Sequence, residues 1–240
     1  MVKFVCDNYN EMSRLAADIM AGQITGKPFS VLGLPTGDTP IGAYMELAKK
    51  RLDFSGVSVF CLGEYYPINR KNNQSHYYQL FDGFINKINM KRENVHILNG
   101  ETDNPDEECK RFDEKISHAG GMDMAVLGIG VNGHIGFNEP SQSLVLKTHL
   151  CDLTARTIEE NSKFFGSDEV TPHKSLTMGM DAIFSAKRIL LLANGNSKAD
   201  AVSRIFSGAV TTSCPATMLN LHHDVTIIMD KEAAAKIQAE

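Results

Sequence analysis

Val31-Leu32-Gly33-Leu34-Pro35-Thr36-Gly37-Asp38-Thr39-Pro40 passes from an unbroken apolar run through a Pro/Gly turn into a helix start. An apolar run without polar alternation is the mark of a strand buried on both faces, as in a parallel sheet covered by helices. Thr39 followed by Pro40 makes a good N-cap and first helical residue, so the segment predicts strand, turn and helix. The same pattern repeats on either side. The runs Phe29–Leu34, Val57–Leu62, Met122–Ile129, Arg188–Ala193 and Val225–Met229 alternate with segments of helical length. Those segments lie near Glu11–Met20, Ile41–Lys50, His76–Ile88, Asp106–His118, Thr157–Phe165 and Lys198–Phe206. The alternation predicts an α/β fold: a doubly wound, mostly parallel, modified Rossmann-like sheet with helices on both faces and right-handed crossovers. No repeat, low-complexity tract or composition shift marks a linker, so residues 1–240 read as one domain.

A chain of 240 residues with 42% hydrophobic content can build such a core. Its net charge of −5 argues against nucleic acid, whose binding needs a basic face to displace counterions. An anionic ligand must therefore be attracted locally, by helix ends and single lysines. Cys6, Cys61, Cys109, Cys151 and Cys214 are odd in number, scattered, and form no C-x-x-C. They read as reduced thiols of a cytoplasmic protein, not as a disulfide frame or zinc site. No signal peptide and no apolar run of membrane-spanning length is expected.

Ligands of doubly wound sheets bind beyond the carboxyl ends of the strands, and four such ends carry chemistry. In the turn Pro35–Pro40, the free N–H groups of a helix start would suit an anion, although, taken alone, ordinary capping by Asp38 or Thr39 is the simpler account of the turn. No Gly-Lys-Ser/Thr follows, so it is not a Walker-type phosphate loop. After the second run stands Gly63-Glu64-Tyr65, with Glu64 either an acid–base group or a solvated loop glutamate. After the third, Gly128-Ile129-Gly130-Val131-Asn132-Gly133 has dinucleotide spacing. The following His134-Ile135-Gly136-Phe137-Asn138-Glu139-Pro140 opens no helix, which excludes that reading. Asn132, His134 and Glu139 instead cluster in a glycine-dense loop as acid–base candidates, with too few ligands for a metal. After the fourth, Asn196 or Ser197 would cap a helix with Lys198 in its first turn. A cation there opposes the helix dipole unless an anion lies between them. Lys163, four residues after Glu159, reads as an ordinary helical ion pair.

Taken together, Leu32–Pro40, Glu64-Tyr65 with Ser75-His76-Tyr77, Asn94–Gly100, Leu127–Pro140, Asn161–Phe165, Leu176–Met180, Ser197-Lys198-Ala199, Pro215-Ala216 and His223–Lys231 resemble one family. It is the glucosamine-6-phosphate deaminase (isomerase) family, in the superfamily that also holds 6-phosphogluconolactonases. The resemblance implies conversion of glucosamine 6-phosphate to fructose 6-phosphate and ammonia, with no metal or organic cofactor. It implies sugar-ring opening by His134 with Asn132 and Glu139. It also implies phosphate held by the turn Thr36, Gly37, Asp38 and Thr39 together with Lys163 and Lys198. Where the family pattern is Asp-Glu-Tyr, with the aspartate taking the C2 proton, this chain has Gly63. The expectation is therefore an enzyme slowed by about 10²–10⁴, the usual worth of a general base, and restored by Gly63→Asp. Glu64 remains as the neighbouring catalytic carboxylate, although successive strand residues face opposite sides. Alternatives are a galactosamine-6-phosphate isomerase, a lactonase-like hydrolase or a non-catalytic sugar-phosphate sensor. The strand Thr148-His149-Leu150-Cys151 lacks the basic residues of allosterically activated members. That implies hyperbolic kinetics in a monomer or small homo-oligomer.

Overall fold

A computed structural model of the chain describes residues 1–166 and 170–237. Its strands are β1 (Val2–Cys6), β2 (Val31–Leu34), β3 (Ser58–Cys61), β4 (Gly63–Tyr66), β5 (Val95–His96), β6 (Met124–Gly128), β7 (His149–Asp152), β8 (Lys174–Thr177), β9 (Ile189–Ala193) and β10 (Val225–Asp230). Its helices are α1 (Tyr9–Gly26), α2 (Asp38–Ala48), α3 (His76–Gly83), α4 (Pro105–His118), α5 (Ala155–Ser162), α6 (Met180–Phe184) and α7 (Ala199–Ile205).

Seven strands form one sheet in the order β1-β10-β9-β6-β2-β3-β5, every pair parallel. The unbroken apolar runs are buried on both sides, as expected. Phe60, Ala125, Leu127, Ile189 and Leu191 face a core shared with Phe112 and Ile116 of α4 and Val202 and Ile205 of α7. Their neighbours Val59, Cys61, Met124, Val126, Leu190 and Leu192 face Met12 and Met20 of α1, Leu47 of α2 and Leu80 of α3. The chain is therefore doubly wound, with helices on both faces. It runs outward through β2, β3 and β5, then returns to pair β6 on the other flank of β2 (Leu32 opposite Met124). That reversal makes a crevice at the carboxyl ends of β2 and β6.

A second, antiparallel sheet, β4-β8-β7, is too short and polar to show in the hydrophobic pattern. Beneath it Tyr65, Ile68, Phe137, Leu153 and Phe165 form a small core of their own.

Two helix starts differ from expectation. Helix α2 begins at Asp38 with Gly37 (φ 90°) in the N-cap position. Thr39 thus lies inside the first turn, and its hydroxyl donates to Asn194 Oδ1 at 2.6 Å. Helix α7 begins at Ala199 after a 3₁₀ turn over Asn196–Lys198. Lys198 takes the N-cap position there, and neither Asn196 nor Ser197 does. Among the described residues no helix is long and apolar enough to cross a membrane, and all five cysteines are free thiols.

Candidate active site

The carboxyl ends of β2, β3, β6 and β9 open onto one cavity of about 650 Å³, within the usual range for small-molecule sites. Three groups of side chains line it: the β2–α2 turn with Lys163 and Lys198, the loop after β6, and the β4–α3 wall.

At the first, Thr36 Oγ1 is buried and finds no hydrogen-bond partner among the described residues. A buried hydroxyl left unpaired costs stability unless a ligand completes it. The Gly37 N–H is taken by Gln79 Oε1 at 3.2 Å, and Asp38 is exposed at the mouth. Lys163 pairs with Glu160 at 3.0 Å, while Glu159 faces Arg156 at 3.8 Å. The expected Glu159–Lys163 pair does not form: Lys163, the C-cap of α5, reaches Glu160 instead, and Glu159 is engaged by Arg156. Burial lowers the Lys198 ammonium pKa; Glu160 opposes this and Lys163 adds to it. Two lysines and an unpaired hydroxyl line the same cavity, and an anion there would offset the repulsion between the lysines and could pair the hydroxyl.

In the β6 loop, Gly130 is required for close approach. A Cβ there would lie 2.4 Å from Cε1 and Nδ1 of His134, whose imidazole lies against the glycine. His134 Nδ1 faces Glu139 Oε2 at 3.5 Å and Thr157 Oγ1 at 3.4 Å, which leaves Nε2 as the nitrogen available to a ligand. Asn132 Nδ2 donates to Glu139 Oε2 at 2.7 Å and to Thr154 Oγ1 at 3.3 Å, and Asn132 Oδ1 accepts the His134 N–H at 3.2 Å. Burial disfavours the Glu139 carboxylate, but the His134 contact, with help from Thr157 and Asn132, outweighs it and holds the group at about 2. Asn132, His134 and Glu139 are thus brought together. His134 and Thr157 line the cavity, with Glu139 and Asn132 bonded behind the imidazole. An imidazole oriented through Nδ1 by a carboxylate is equipped to move protons at Nε2. Thr154 is the N-cap of α5 and Thr157 lies in its first turn, and the helix carries no motif to announce them.

On the β4–α3 wall, Glu64 is not placed as a catalytic group. It is 1% exposed, and its oxygens accept the backbone N–H groups of Tyr65 (2.9 Å), His76 (2.8 Å) and Tyr77 (2.8 Å). Strand alternation sends it to the start of α3, away from the cavity that Gly63 and Tyr65 line. Burial pushes its carboxyl up to about 7 against the pull of these donors. Glu64→Gln would set an amide donor against one of the N–H groups, most simply that of Tyr77. The expected result is a loss of about 1–3 kcal/mol of stability in denaturant melts, with turnover per folded molecule unchanged.

Gly63 has little room for a side chain. A Cβ would sit 2.9 Å from the Leu176 carbonyl oxygen across the β4–β8 ladder and 3.0 Å from Phe137 Cδ2. The expectation that an aspartate here simply restores a base is therefore corrected: the strand pairing and Phe137 must shift first. Gly63→Asp should lower stability by about 1–3 kcal/mol, as overpacking does, and should not raise turnover. Thermal melts and an ammonia assay on that variant check both.

A family model described as glucosamine-6-phosphate isomerases/6-phosphogluconolactonase matches residues 9–228. The chain is 51% identical over 237 residues to a glucosamine-6-phosphate deaminase of Clostridium botulinum (strain Kyoto / Type A2), covering 97% of each. It is 52% identical to that of Thermoanaerobacter sp. (strain X514), covering 97% of this chain and 94% of the other. Among solved structures, a monomeric glucosamine-6-phosphate deaminase superposes with a TM-score of 0.95 at 40% identity, over 98% of this chain and 100% of the other. A 6-phosphogluconolactonase from Thermotoga maritima superposes at 0.74 with 18% identity over 95% and 98%, a likeness of fold alone.

Proposed function

The chain belongs to the family of glucosamine-6-phosphate isomerases and 6-phosphogluconolactonases, and from that premise we propose that it converts glucosamine 6-phosphate and water to fructose 6-phosphate and ammonia. The observation that carries this reading is one cavity with an anion-seeking end and a carboxylate-oriented imidazole. Thr36, the start of α2, Lys163 and Lys198 would hold the phosphate. His134 Nε2 would take the proton of the C1 hydroxyl and deliver it to the ring oxygen as the C1–O5 bond breaks. Glu139 stabilises the imidazolium formed in between, and Asn132 holds Glu139 in place. The opened sugar then moves a proton from C2 to C1, giving an imine at C2 that water hydrolyses to the ketone and ammonia. Gly63 itself has no side chain to accept the C2 proton, so that step needs an acceptor from elsewhere on the cavity wall.

A substrate panel tests the reading. Ammonia is expected from glucosamine 6-phosphate, in equal amount to fructose 6-phosphate, and none from unphosphorylated glucosamine. Preference for galactosamine 6-phosphate would move the substrate to the C4 epimer. Hydrolysis of 6-phosphogluconolactone without ammonia release would replace the reading with a lactonase. We also infer a cytoplasmic monomer, supported by the five free thiols and by the monomeric relative of solved structure.

A further inference from the structure

Proton removal at C2 needs an acceptor on the wall facing His134, and Gly63 offers no side chain there. Resting on the deaminase reading above, we propose that His76, at the start of α3, is the base that takes the C2 proton of the opened amino sugar.

The geometry sets its tautomer. His76 Nδ1 lies 2.7 Å from the Gly63 carbonyl oxygen. A carbonyl only accepts, so Nδ1 carries the hydrogen and Nε2 carries the lone pair. No described residue hydrogen-bonds Nε2, and the residue lines the cavity. The ring is held firmly. It stacks on Phe137 (centroids 5.3 Å apart, planes 16°) and meets Tyr65 edge-on at 5.0 Å. Its backbone N–H is anchored on Glu64 Oε1 at 2.8 Å, and Ser75 caps the helix by accepting the Tyr78 N–H. Glu64 therefore positions His76 without entering the cavity. The His134 ring approaches the same Phe137 ring at 6.4 Å, so both imidazoles pack around one aromatic floor.

The other carboxylates lining the cavity are poorly placed. Glu160 is paired with Lys163, Asp38 is exposed in the β2–α2 turn, and Asp82 lies nearly two turns along α3. Burial lowers the His76 pKa to about 4, against the raising effect of its bond to Gly63. The imidazole is then neutral at neutral pH, with the basicity of an ordinary aspartate.

The step balances without any further reactant. The C2 proton passes to Nε2 and its bonding pair forms the C1=C2 double bond, while the C1 oxygen takes a proton from the substrate's own 2-ammonium group. The resulting enolamine then recovers the proton from Nε2 at C1, giving the C2 iminium of the ketose.

His76→Phe keeps a ring on Phe137 but no lone pair; His76→Gln keeps a donor for the Gly63 carbonyl but no base. Both are expected to lose about 10²–10⁴ in ammonia release and in solvent-deuterium incorporation at the transferred hydrogen. Substrate deuterated at C2 should then show an isotope effect on kcat larger than that of the unsubstituted chain. Affinity for the open-chain 2-amino-2-deoxyglucitol 6-phosphate, measured by calorimetry, should stay within a few-fold, which separates a lost base from a misshapen site. Turnover retained by either variant overturns the role of His76 alone. An unsubstituted chain that binds glucosamine 6-phosphate but releases no ammonia overturns the deaminase reading and the role together.

Discussion

His134→Ala is expected to cut ammonia release from glucosamine 6-phosphate by about 10²–10⁴, the usual contribution of a positioned acid–base group. Glu139 and Thr157 meet the imidazole at Nδ1, while Asn132 holds Glu139 and the His134 backbone N–H, so Nε2 is the nitrogen left for the ligand. Glu139→Gln should produce a smaller loss, because the amide still orients the ring but no longer stabilises its charged form. Binding of the open-chain alditol phosphate should survive both changes, since the anion end of the cavity is untouched. Normal turnover by His134→Ala would make the imidazole a structural filler of the space beside Gly130.

Lys198→Ala is expected to remove most of the preference for the phosphorylated sugar. A charge-assisted hydrogen bond contributes roughly 1.5–3 kcal/mol, so affinity for glucosamine 6-phosphate should fall about 10–150-fold while that for glucosamine stays the same. Burial and the nearby Lys163 already disfavour the ammonium. A dianion beside it reverses both effects, so the lysine is more useful in the complex than in the free protein. Thr36→Val should lower affinity further by removing the unpaired hydroxyl. Equal affinity of the unsubstituted chain for the two sugars in calorimetry would show that this end of the cavity holds no phosphate.

The central sheet was legible because its strands are buried on both faces and carry no polar interruption, as Leu190-Leu191-Leu192 illustrates. The small sheet was not. Its strand β7 reads His149-Leu150-Cys151-Asp152, without the apolar run or clean alternation that betrays a strand, and β4 follows β3 after a single residue. Edge strand β1 also escaped notice, since Val2, Phe4 and Val5 are exposed and Lys3 interrupts them.

At the site, the glycine-dense loop after β6 announced Asn132, His134 and Glu139, because few structural roles need so many polar groups among so many glycines. Thr157 and Asn194 could not be found that way. Each acts through a neighbour distant in sequence, Thr157 on His134 and Asn194 on Thr39. Glu64 read as catalytic from its place at a strand end, yet alternation along β4 turns it toward the first N–H groups of α3. His76 is hidden in the opposite way. At the start of a Ser-capped helix it looks ordinary, and only the fold sets it against Gly63.

The deaminase reading turns on whether a chain with glycine at position 63 carries the reaction to completion. NMR of ¹³C-labelled glucosamine 6-phosphate mixed with the unsubstituted protein in D₂O follows ring opening, deuterium uptake and product in one sample. The expected result is fructose 6-phosphate with one equivalent of ammonium, formed at an ordinary enzymatic rate of about 1–10³ per second. Sugar phosphate that binds, and even opens its ring, yet keeps its amino group and its C2 hydrogen would contradict the deaminase reading and make this cavity a sugar-phosphate receptor.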